Sequence, residues 1–300
     1  MRAGVVAVAA HAKVNLDLRM VAVRDDGYHE LATVFQTIAL HDTVTIRPVD
    51  GPMRLTCEQA GVPTDARNLA WRAVQAAWTA AGRDGGPTGL HLHLDKRIPA
   101  QAGLGGGSAD AAAALVAANH LLGLDLPGPV VHELAAQLGA DVAFFLLGGT
   151  AEGRGRGERL RSLPDVPATG VLVAVPPFGV STAEAYRWYD EQGLPGSTPG
   201  TWPSEASGWR NAWLDCRNDL EAPVAARHPE IGTQVGALRR VSCLAAMSGS
   251  GSAVFALFDR RDDLAAAAQM ATAAGWRAIE TETLGRDAYR RALPGTGLQP

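Results

Sequence analysis

The spacing of apolar residues predicts a chain that mixes strands and helices. Leu90, Leu92 and Leu94 alternate with polar residues, which is typical of a strand with one buried face. Helical spacing over residues 68–81 ends at a glycine, where helices commonly stop. The same criteria predict further helices over residues 108–122, 129–138, 231–239 and 262–273, and strands over residues 14–18, 43–46, 171–175, 253–258 and 276–280. Because these elements do not follow a regular βαβ alternation, their order favours an α+β fold.

The sequence between the patterned segments predicts two domains. Arg-rich and Pro-rich residues near Pro164 separate two patterned halves, so we expect domains over residues 1–163 and 164–300. A length of 300 residues suits one large domain or two ordinary ones. Residues 193–208 are dense in Gly, Pro and Ser, which predicts an irregular surface loop.

Composition and charge exclude several classes of function. The formal net charge of −4 argues against a nucleic-acid-binding protein, which needs basic residues to neutralise phosphates. No stretch reaches the roughly 18 apolar residues of a membrane helix, and the N-terminus lacks a signal-peptide cleavage motif. The three cysteines have no metal-binding spacing and indicate free thiols in a reducing compartment. We therefore expect a cytoplasmic protein without nucleic-acid or membrane partners.

A glycine-rich segment, residues 99–111, is the strongest local signal, and we call it the glycine loop. It reads Pro-Ala-Gln-Ala-Gly-Leu-Gly-Gly-Gly-Ser-Ala-Asp-Ala and leads directly into a predicted helix. Glycine lets the backbone approach an anion closely, and the first N–H groups of a helix are unpaired and favour negative charge. The hydroxyl of Ser108 can cap this helix or contact a phosphate or its metal ion. The segment therefore predicts a phosphate-binding loop, with a flexible turn as the alternative.

Two familiar phosphate-binding motifs do not fit the glycine loop. A P-loop requires Lys at the helix start, and no Lys is present there. A dinucleotide-binding loop requires a βαβ unit with an acidic residue about 20 residues further on; Asp125 has that spacing but follows the helix in a predicted loop. Lys13 and Lys96 are the only lysines of the chain, so a lysine that assists phosphate binding must come from outside the loop.

Polar residues near the N-terminus form a candidate substrate site. Lys13 and Asn15 alternate onto one face of a predicted strand and can bind polar substrate atoms; an exposed strand face is the alternative. An Asp-Gly turn signal at residues 26–27 precedes Tyr28 and His29, which begin the next strand. An aromatic ring beside a histidine can stack on a ring and hydrogen-bond to it, although such pairs are often structural.

Asp141 precedes an apolar run and is a candidate general base, with a helix N-cap as the alternative. A kinase acting on an alcohol benefits from a carboxylate that accepts the hydroxyl proton and from a nearby cation, for which Lys13 is a candidate. A second glycine cluster, residues 248–252, reads Ser-Gly-Ser-Gly-Ser, and we call it the serine–glycine loop. It predicts either a second phosphate contact or a tight entry into the following strand.

Together these motifs resemble the GHMP kinases, which include galactokinase, homoserine kinase and mevalonate kinase. The three superfamily motifs match in order: the Lys13 segment, the glycine loop and the serine–glycine loop. Five motifs that span nearly the whole chain resemble the branch of this superfamily whose substrate carries a cytidine diphosphate group. They are Ala-Lys-Val-Asn-Leu at residues 12–16, Asp-Gly-Tyr-His at 26–29, Lys-Arg-Ile-Pro at 96–99, Gly-Ala-Asp-Val at 139–142 and Arg-Asn-Asp-Leu at 217–220.

The resemblance implies a fold and a reaction. The implied fold has a ribosomal protein S5 domain 2-like N-terminal domain and a ferredoxin-like C-terminal domain around a deep cleft. The implied reaction moves the γ-phosphoryl group of ATP to a hydroxyl of the small-molecule substrate, with Mg²⁺ carried by the nucleotide phosphates and not by a protein metal site. Asp141 is implied as the base, and Lys13 as the residue that positions and activates the hydroxyl. We expect a monomer or a weak homodimer.

The other implied site residues fall into two groups. Those implied to bind the substrate are Asn15, Tyr28, His29, Thr182 and Tyr186, with Asn218 in the same cleft. Those implied to bind ATP are Asn68, Lys96, Pro99, Gly103, Gly105, Gly106, Gly107 and Ser108. The alternatives are another GHMP kinase, acting on homoserine, mevalonate or a sugar, and a nucleotide-binding regulator without activity.

Overall fold

The structure is a computed structural model that describes residues 4–25 and 27–292. Asp26, in the predicted turn at residues 26–27, lies outside the described residues. The strands are β1 (Val6–Val23), β2 (His29–Pro52), β3 (Arg54–Cys57), β4 (Thr88–Asp95), β5 (Thr150–Gly155), β6 (Arg159–Ser162), β7 (Gly170–Val175), β8 (Leu244–Met247), β9 (Val254–Phe258) and β10 (Arg277–Glu282). The helices are α1 (Leu69–Ala80), α2 (Gly106–Leu121), α3 (Gly128–Leu138), α4 (Ala140–Leu147), α5 (Thr182–Glu191), α6 (Trp209–Ala212), α7 (Glu221–Arg227), α8 (Pro229–Arg239), α9 (Arg261–Ala273) and α10 (Arg286–Arg291).

β2 is the central strand of the first sheet, and β1 pairs antiparallel with residues 29–46 of β2 along its full length. The first part of β2 also pairs with β5 and its second part with β4, so β2 joins both halves of the sheet. β3 lies parallel to β4, and β6 lies antiparallel to β5. Both faces of this strand pair are buried, because Val8 and Val44 pack with residues of α1 and α2 while Val14 and Leu16 pack with residues of the second sheet.

β1 and β2 are longer than the hydrophobic pattern predicted. The hydrophobic pattern predicted strands over residues 14–18 and 43–46, and the turn signal predicted a strand beginning at Tyr28 and His29, whereas β1 has 18 residues and β2 has 24 and begins at His29. Polar side chains buried within these strands, including Lys13, Asp17 and Gln36, interrupt the alternation that identifies a half-buried strand. β4 does show that alternation, with its three leucines buried, and its prediction is confirmed.

The second sheet has the strand order β10-β7-β9-β8, and all its neighbouring strands are antiparallel. Helices follow β7 and β9, so the chain order is βαββαβ, the ferredoxin-like arrangement. This confirms the expected α+β architecture of the second half. The first sheet ends at Ser162 and the second begins at Gly170, on either side of the predicted domain boundary. The boundary itself remains a prediction, because α10 packs back against the first core.

Residues 193–205 contain no helix or strand, as the Gly, Pro and Ser content of residues 193–208 predicted. The segment is nevertheless bonded to β1. The N–H of Ser197 donates to the carbonyl of Met20 at 2.6 Å, and the guanidinium of Arg19 donates to the carbonyl of Thr198 at 2.9 Å. These bonds attach the loop to the strand that carries Lys13.

α2 is buried on nearly all sides, and most of its buried residues are alanines. Alanine lets the helix lie close to the sheet and to α1, while a helix that is apolar all round belongs in a protein interior. The glycine loop leads into the N-terminus of this helix. The position of the loop is therefore fixed by the packing of α2 in the first core.

α10 docks near the C-terminal end of α4. The hydroxyl of Tyr289 donates to the carbonyl of Phe145, and the ring covers Gly148 so closely that a Cβ atom there would lie 2.1 Å from a ring carbon. Gly148 also has a φ of +66°, a conformation that favours glycine. The docking of α10 thus depends on the absence of a side chain at residue 148.

We predict that Gly148→Ala lowers the free energy of unfolding by about 3 kcal/mol, because it adds a steric clash to the cost of a positive φ. Gly193→Ala is the matched control: Gly193 has a φ of +57°, but nothing lies within 4 Å of a Cβ atom there. The control should lose only about 1 kcal/mol. Urea denaturation measures both, and equal losses would contradict the proposed docking of α10.

Candidate active site

A cleft of about 810 Å³ lies between the two halves of the molecule. The glycine loop forms one wall, together with the middle of β1 around Lys13. The start of α5 and the serine–glycine loop contribute the wall from the second half. The cleft therefore brings together the three motifs that the resemblance named.

The backbone of the glycine loop has conformations and contacts that require glycine at two positions. Gly103 has a φ of +71°, and a Cβ atom there would lie 1.9 Å from the carbonyl oxygen of Ser248. Gly105 has a φ of +72°, and a Cβ atom there would lie 2.9 Å from the ring of Phe145. No side chain caps the first turn of α2, so its N–H groups remain available to an anion. Pro99, Gly106, Gly107 and Ser108 also line the cleft.

The serine–glycine loop is bonded to the glycine loop across the two halves. The hydroxyl of Ser248 donates to the carbonyl of Gly103 at 3.0 Å, and the N–H of Ser252 donates to the carbonyl of Gln101 at 3.3 Å. Residues 249–251 line the cleft, and the loop leads directly into β9. The segment therefore combines the two predicted features, a wall of the cleft and a tight strand entry.

Asn218 supports the serine–glycine loop from behind. Its side-chain amide donates to the carbonyls of Met247 and Gly249, each at 2.7 Å, and its side-chain oxygen accepts from the N–H of Leu220. Asn218 is buried and is not among the residues that line the cleft. The expectation that it lines the cleft was therefore wrong.

Lys13 and Asp141 come together at the centre of the cleft. The ammonium of Lys13 is buried, donates to the side-chain oxygen of Asn15 at 2.6 Å, and lies 3.6 Å from a carboxylate oxygen of Asp141. The amide nitrogen of Asn15 donates to the hydroxyl of Thr33, which fixes the direction of its oxygen. The Asp141 side chain is 34% exposed and can reach a ligand in the cleft.

Asp141 lies in the first turn of α4, but it does not cap the helix. The N-cap is Gly139, and no side chain makes a capping bond there. The N-cap alternative for Asp141 is therefore wrong. Its carboxylate lies at the positive end of the helix dipole, and the Lys13 ammonium lies 3.6 Å from it.

Lys96 also lies at the wall of the cleft, but its charge is used within the protein. Its ammonium contacts the carboxylates of Asp42 and Asp110, at 2.6 Å for Asp110. Burial acts to lower the pKa of Lys96, but the two carboxylates outweigh it and the pKa is raised. Burial raises the pKa of Asp110, whose second carboxylate oxygen is buried without a hydrogen-bond partner. Lys96 thus joins the start of α2 to the sheet through Asp42.

Asn68 lines the cleft and is the N-cap of α1. Its side-chain oxygen accepts from the N–H of Ala70 at 2.9 Å, and its amide donates to the carbonyl of Pro63 at 2.7 Å. Both polar groups of the side chain are therefore paired within the chain. This capping bond also explains why α1 begins at Leu69, one residue after the predicted start.

The aromatic residues lie at the other end of the cleft. Tyr186 lines the wall, with Thr182 at the mouth, where the Thr182 and Ser250 hydroxyls are 3.1 Å apart. Burial and, to a smaller extent, the charge of Asp141 raise the pKa of Tyr186.

Tyr28 and His29 lie beside the wall and do not form part of it. The His29 ring is 5.3 Å from the Tyr186 ring, and its Nε2 is 2.8 Å from a carboxylate oxygen of Asp190. The guanidinium of Arg156 lies over the Tyr28 ring at 5.3 Å. Contacts with Tyr186 and Arg156 therefore connect this pair to the cleft.

Three contributors to the site were not predicted: Asp42, Asp110 as a partner of Lys96, and Arg156. Asp42 lies 54 residues before Lys96 in the sequence, so no local pattern connects them. Arg156 belongs to the Arg-rich stretch that was interpreted only as a domain boundary. Neither Asp42 nor Arg156 belongs to a periodic hydrophobic pattern that could have identified it.

Within residues 4–25 and 27–292, no group of three or more His, Cys, Asp or Glu side chains is placed to hold a metal ion. In the same residues, none of the helices has the length and apolar character needed to cross a membrane.

Comparison with known proteins identifies the family. The GHMP kinases N-terminal domain matches residues 68–149, and the GHMP kinases C-terminal domain matches residues 209–276. The 4-diphosphocytidyl-2-C-methyl-D-erythritol kinase of Solibacter usitatus is 43% identical, over 95% of this chain and 87% of that protein. The chain belongs to this family of kinases. The enzyme of the same name from Geobacter sulfurreducens is 40% identical, over 92% of this chain and 98% of that protein.

Solved structures agree with the family. A 4-(cytidine 5'-diphospho)-2C-methyl-D-erythritol kinase is 36% identical and superposes with a TM-score of 0.79 over 93% of this chain and all of that one. A homoserine kinase from Cytophaga hutchinsonii, at 19% identity, has a TM-score of 0.66 over 95% of this chain and 96% of that one, which shows the shared fold alone. The expected two-domain GHMP kinase fold is thus confirmed.

We predict that Asp42→Asn destabilises this kinase more than Asp110→Asn does. Both carboxylate oxygens of Asp42 accept hydrogen bonds, one from the ammonium of Lys96 and the other from the N–H groups of residues 97 and 98. In Asp42→Asn the amide NH₂ must therefore point at another donor, whichever way it is turned. Asp110 faces a donor on one side only. We expect losses of about 3 and at most about 1 kcal/mol in the free energy of unfolding, measured by urea denaturation. The reverse order would contradict this description of the cluster.

Proposed function

We propose that the protein transfers the γ-phosphoryl group of ATP to the 2-hydroxyl of 4-diphosphocytidyl-2-C-methyl-D-erythritol, giving ADP and the 2-phosphate. The reaction belongs to non-mevalonate isoprenoid precursor biosynthesis. The observation that carries the proposal is the Lys13–Asp141 pair in the same cleft as the glycine loop. The family relationship names the substrate of the relatives.

In the proposed mechanism, Asp141 accepts the proton of the attacking hydroxyl. The Lys13 ammonium lies 3.6 Å from this carboxylate and would place a positive charge beside the attacking oxygen. Asn15 holds Lys13 through a 2.6 Å hydrogen bond and keeps the ammonium in position. Phosphoryl transfer depends mainly on such positioning and on charge stabilisation.

The phosphates of ATP would lie against the glycine loop and the N-terminus of α2. The uncapped N–H groups of the helix and the backbone of the loop supply hydrogen-bond donors to them. Mg²⁺ would be carried by the phosphate oxygens and by water, because it is a hard cation that prefers oxygen ligands. The ion would neutralise phosphate charge, while Ser108 offers a hydroxyl at the helix start.

The substrate would extend from Asp141 toward the aromatic end of the cleft. Tyr186 and Tyr28 supply rings for stacking on the cytosine, and His29 supplies a ring nitrogen for hydrogen bonding. Thr182 and Asn15 supply polar groups along the cleft. Asn68, Lys96 and Pro99 would border the adenosine part of ATP. A cytoplasmic location and a monomeric or weakly dimeric state remain predictions.

ADP release in the presence of each candidate alcohol tests the proposal directly. Turnover of the cytidine-diphosphate substrate, without turnover of homoserine, mevalonate or a simple sugar, is the expected result. Turnover of one of those alcohols alone would overturn the substrate assignment. The absence of turnover with every alcohol, despite ATP binding, would favour a nucleotide-binding regulator.

Asp141→Asn should lower turnover by at least ~10², because the amide cannot accept the hydroxyl proton. ATP affinity should be unchanged, since Asp141 lies in α4 and not in the glycine loop. Steady-state ADP release and calorimetric ATP binding measure the two effects. A near-normal kcat would remove Asp141 from the mechanism.

Lys13→Arg should also lose most of the turnover, although it conserves the charge. The ammonium is enclosed: it lies 2.6 Å from the Asn15 oxygen and would lie 3.2 Å from a Cβ atom at Gly249. The larger, forked guanidinium has no room to keep this geometry. The control is the circular dichroism spectrum and melting temperature of the variant, and a folded variant with wild-type kcat would contradict the prediction.

A further inference from the structure

Four cationic side chains line the cleft within the described residues: Lys13, Arg67, Lys96 and Arg156. The first three each form an ion pair with at least one aspartate. Arg156 has no carboxylate within 4.0 Å of its guanidinium in the part of the chain that the structure describes, and it is exposed. Among these four cations, Arg156 is therefore the one whose charge is not compensated by a carboxylate of the described residues.

Arg156 lies in the turn between β5 and β6, next to the start of α4. A Cβ atom at the neighbouring Gly157 would lie 3.7 Å from the Cβ of Ala140, the residue before Asp141. The Arg156 guanidinium lies over the ring of Tyr28 at 5.3 Å. Arg156 thus lies between the proposed base and the proposed cytosine-binding ring.

The backbone of this turn is fixed, although the Arg156 side chain is exposed. The N–H of Gly155 donates to a carboxylate oxygen of Glu30 at 3.3 Å. The N–H of Arg156 itself donates to a carboxylate oxygen of Glu158 at 2.6 Å. The guanidinium therefore projects from a defined position at the edge of the cleft.

We propose that Arg156 binds the diphosphate that joins the cytidine to the acceptor alcohol, and so selects a nucleoside diphosphate substrate over a neutral alcohol. This inference rests on the proposed function. A guanidinium forms paired, charge-assisted hydrogen bonds with phosphate oxygens, and its fork matches their geometry. It also offsets the repulsion between the diphosphate and the Asp141 carboxylate. An alternative role, stacking on the cytosine together with Tyr28, predicts a different ligand dependence.

Calorimetric titration of Arg156→Leu with cytidine and with cytidine diphosphate separates the two roles. We expect affinity for cytidine diphosphate to fall about tenfold or more, and affinity for cytidine to change less than twofold. Arg156→Lys should recover part of the loss because it restores the charge. Arg154→Leu is the control, since Arg154 lies outside the cleft wall and pairs with Glu152.

Steady-state kinetics provide the second readout. In Arg156→Leu, KM for the cytidine-diphosphate substrate should rise about tenfold or more, with KM for ATP and kcat nearly unchanged. Equal losses for cytidine and cytidine diphosphate, a rise in KM for ATP instead, or no change in any of these would overturn the proposal. Failure of the wild-type protein to bind cytidine diphosphate or to phosphorylate the substrate would instead overturn the proposed function.

Discussion

The buried ammonium of Lys13 connects the separate parts of the site. Its side chain contacts Asn15 on the same strand and lies 3.6 Å from Asp141 on α4, while its backbone N–H donates to Leu104 in the glycine loop. A buried charge must be paired and hydrogen-bonded, so β1, α4 and the glycine loop are held in one arrangement. Glycine at residue 249 leaves room for this ammonium from the second half of the chain. The position of Asp141, the proposed base, therefore depends on the position of this one charge.

The two lysines of the chain have different roles, although both are buried at the cleft. Lys13 has one carboxylate near it, and that carboxylate is partly exposed to the cleft. Lys96 contacts two carboxylates that are both buried, so its charge is fully compensated inside the protein. The Lys13–Asp141 pair can interact with a ligand in the cleft, whereas the contacts of Lys96 link the start of α2 to the sheet. Lysine suits both positions because its compact charge fits where a guanidinium fork does not.

The parts of the fold that follow a simple period were predictable from the sequence, as in β4, α8 and α9. β1 and β2 were predicted too short because buried polar residues such as Lys13 and Asp17 interrupt their hydrophobic alternation. The β-strand 244–247 and helix α5 were not predicted, since short apolar runs and a polar helix carry weak periodic signals. The Lys13–Asp141 pair was expected from the family motifs. Asp42 and Arg156 are brought to the site by tertiary contacts between residues far apart in the sequence, which a local sequence pattern does not indicate.

The charge pairs of the cleft determine how phosphates can be bound there. The glycine loop has no lysine, and both lysines of the chain already interact with carboxylates. In the proposed function, binding of the ATP phosphates would depend on backbone N–H groups, on the α2 dipole and on a cation that accompanies the nucleotide. Backbone donors work only if they are held in place before the ligand arrives. The close contact between Gly103 and Ser248 does this, because it braces the loop of one half against the loop of the other.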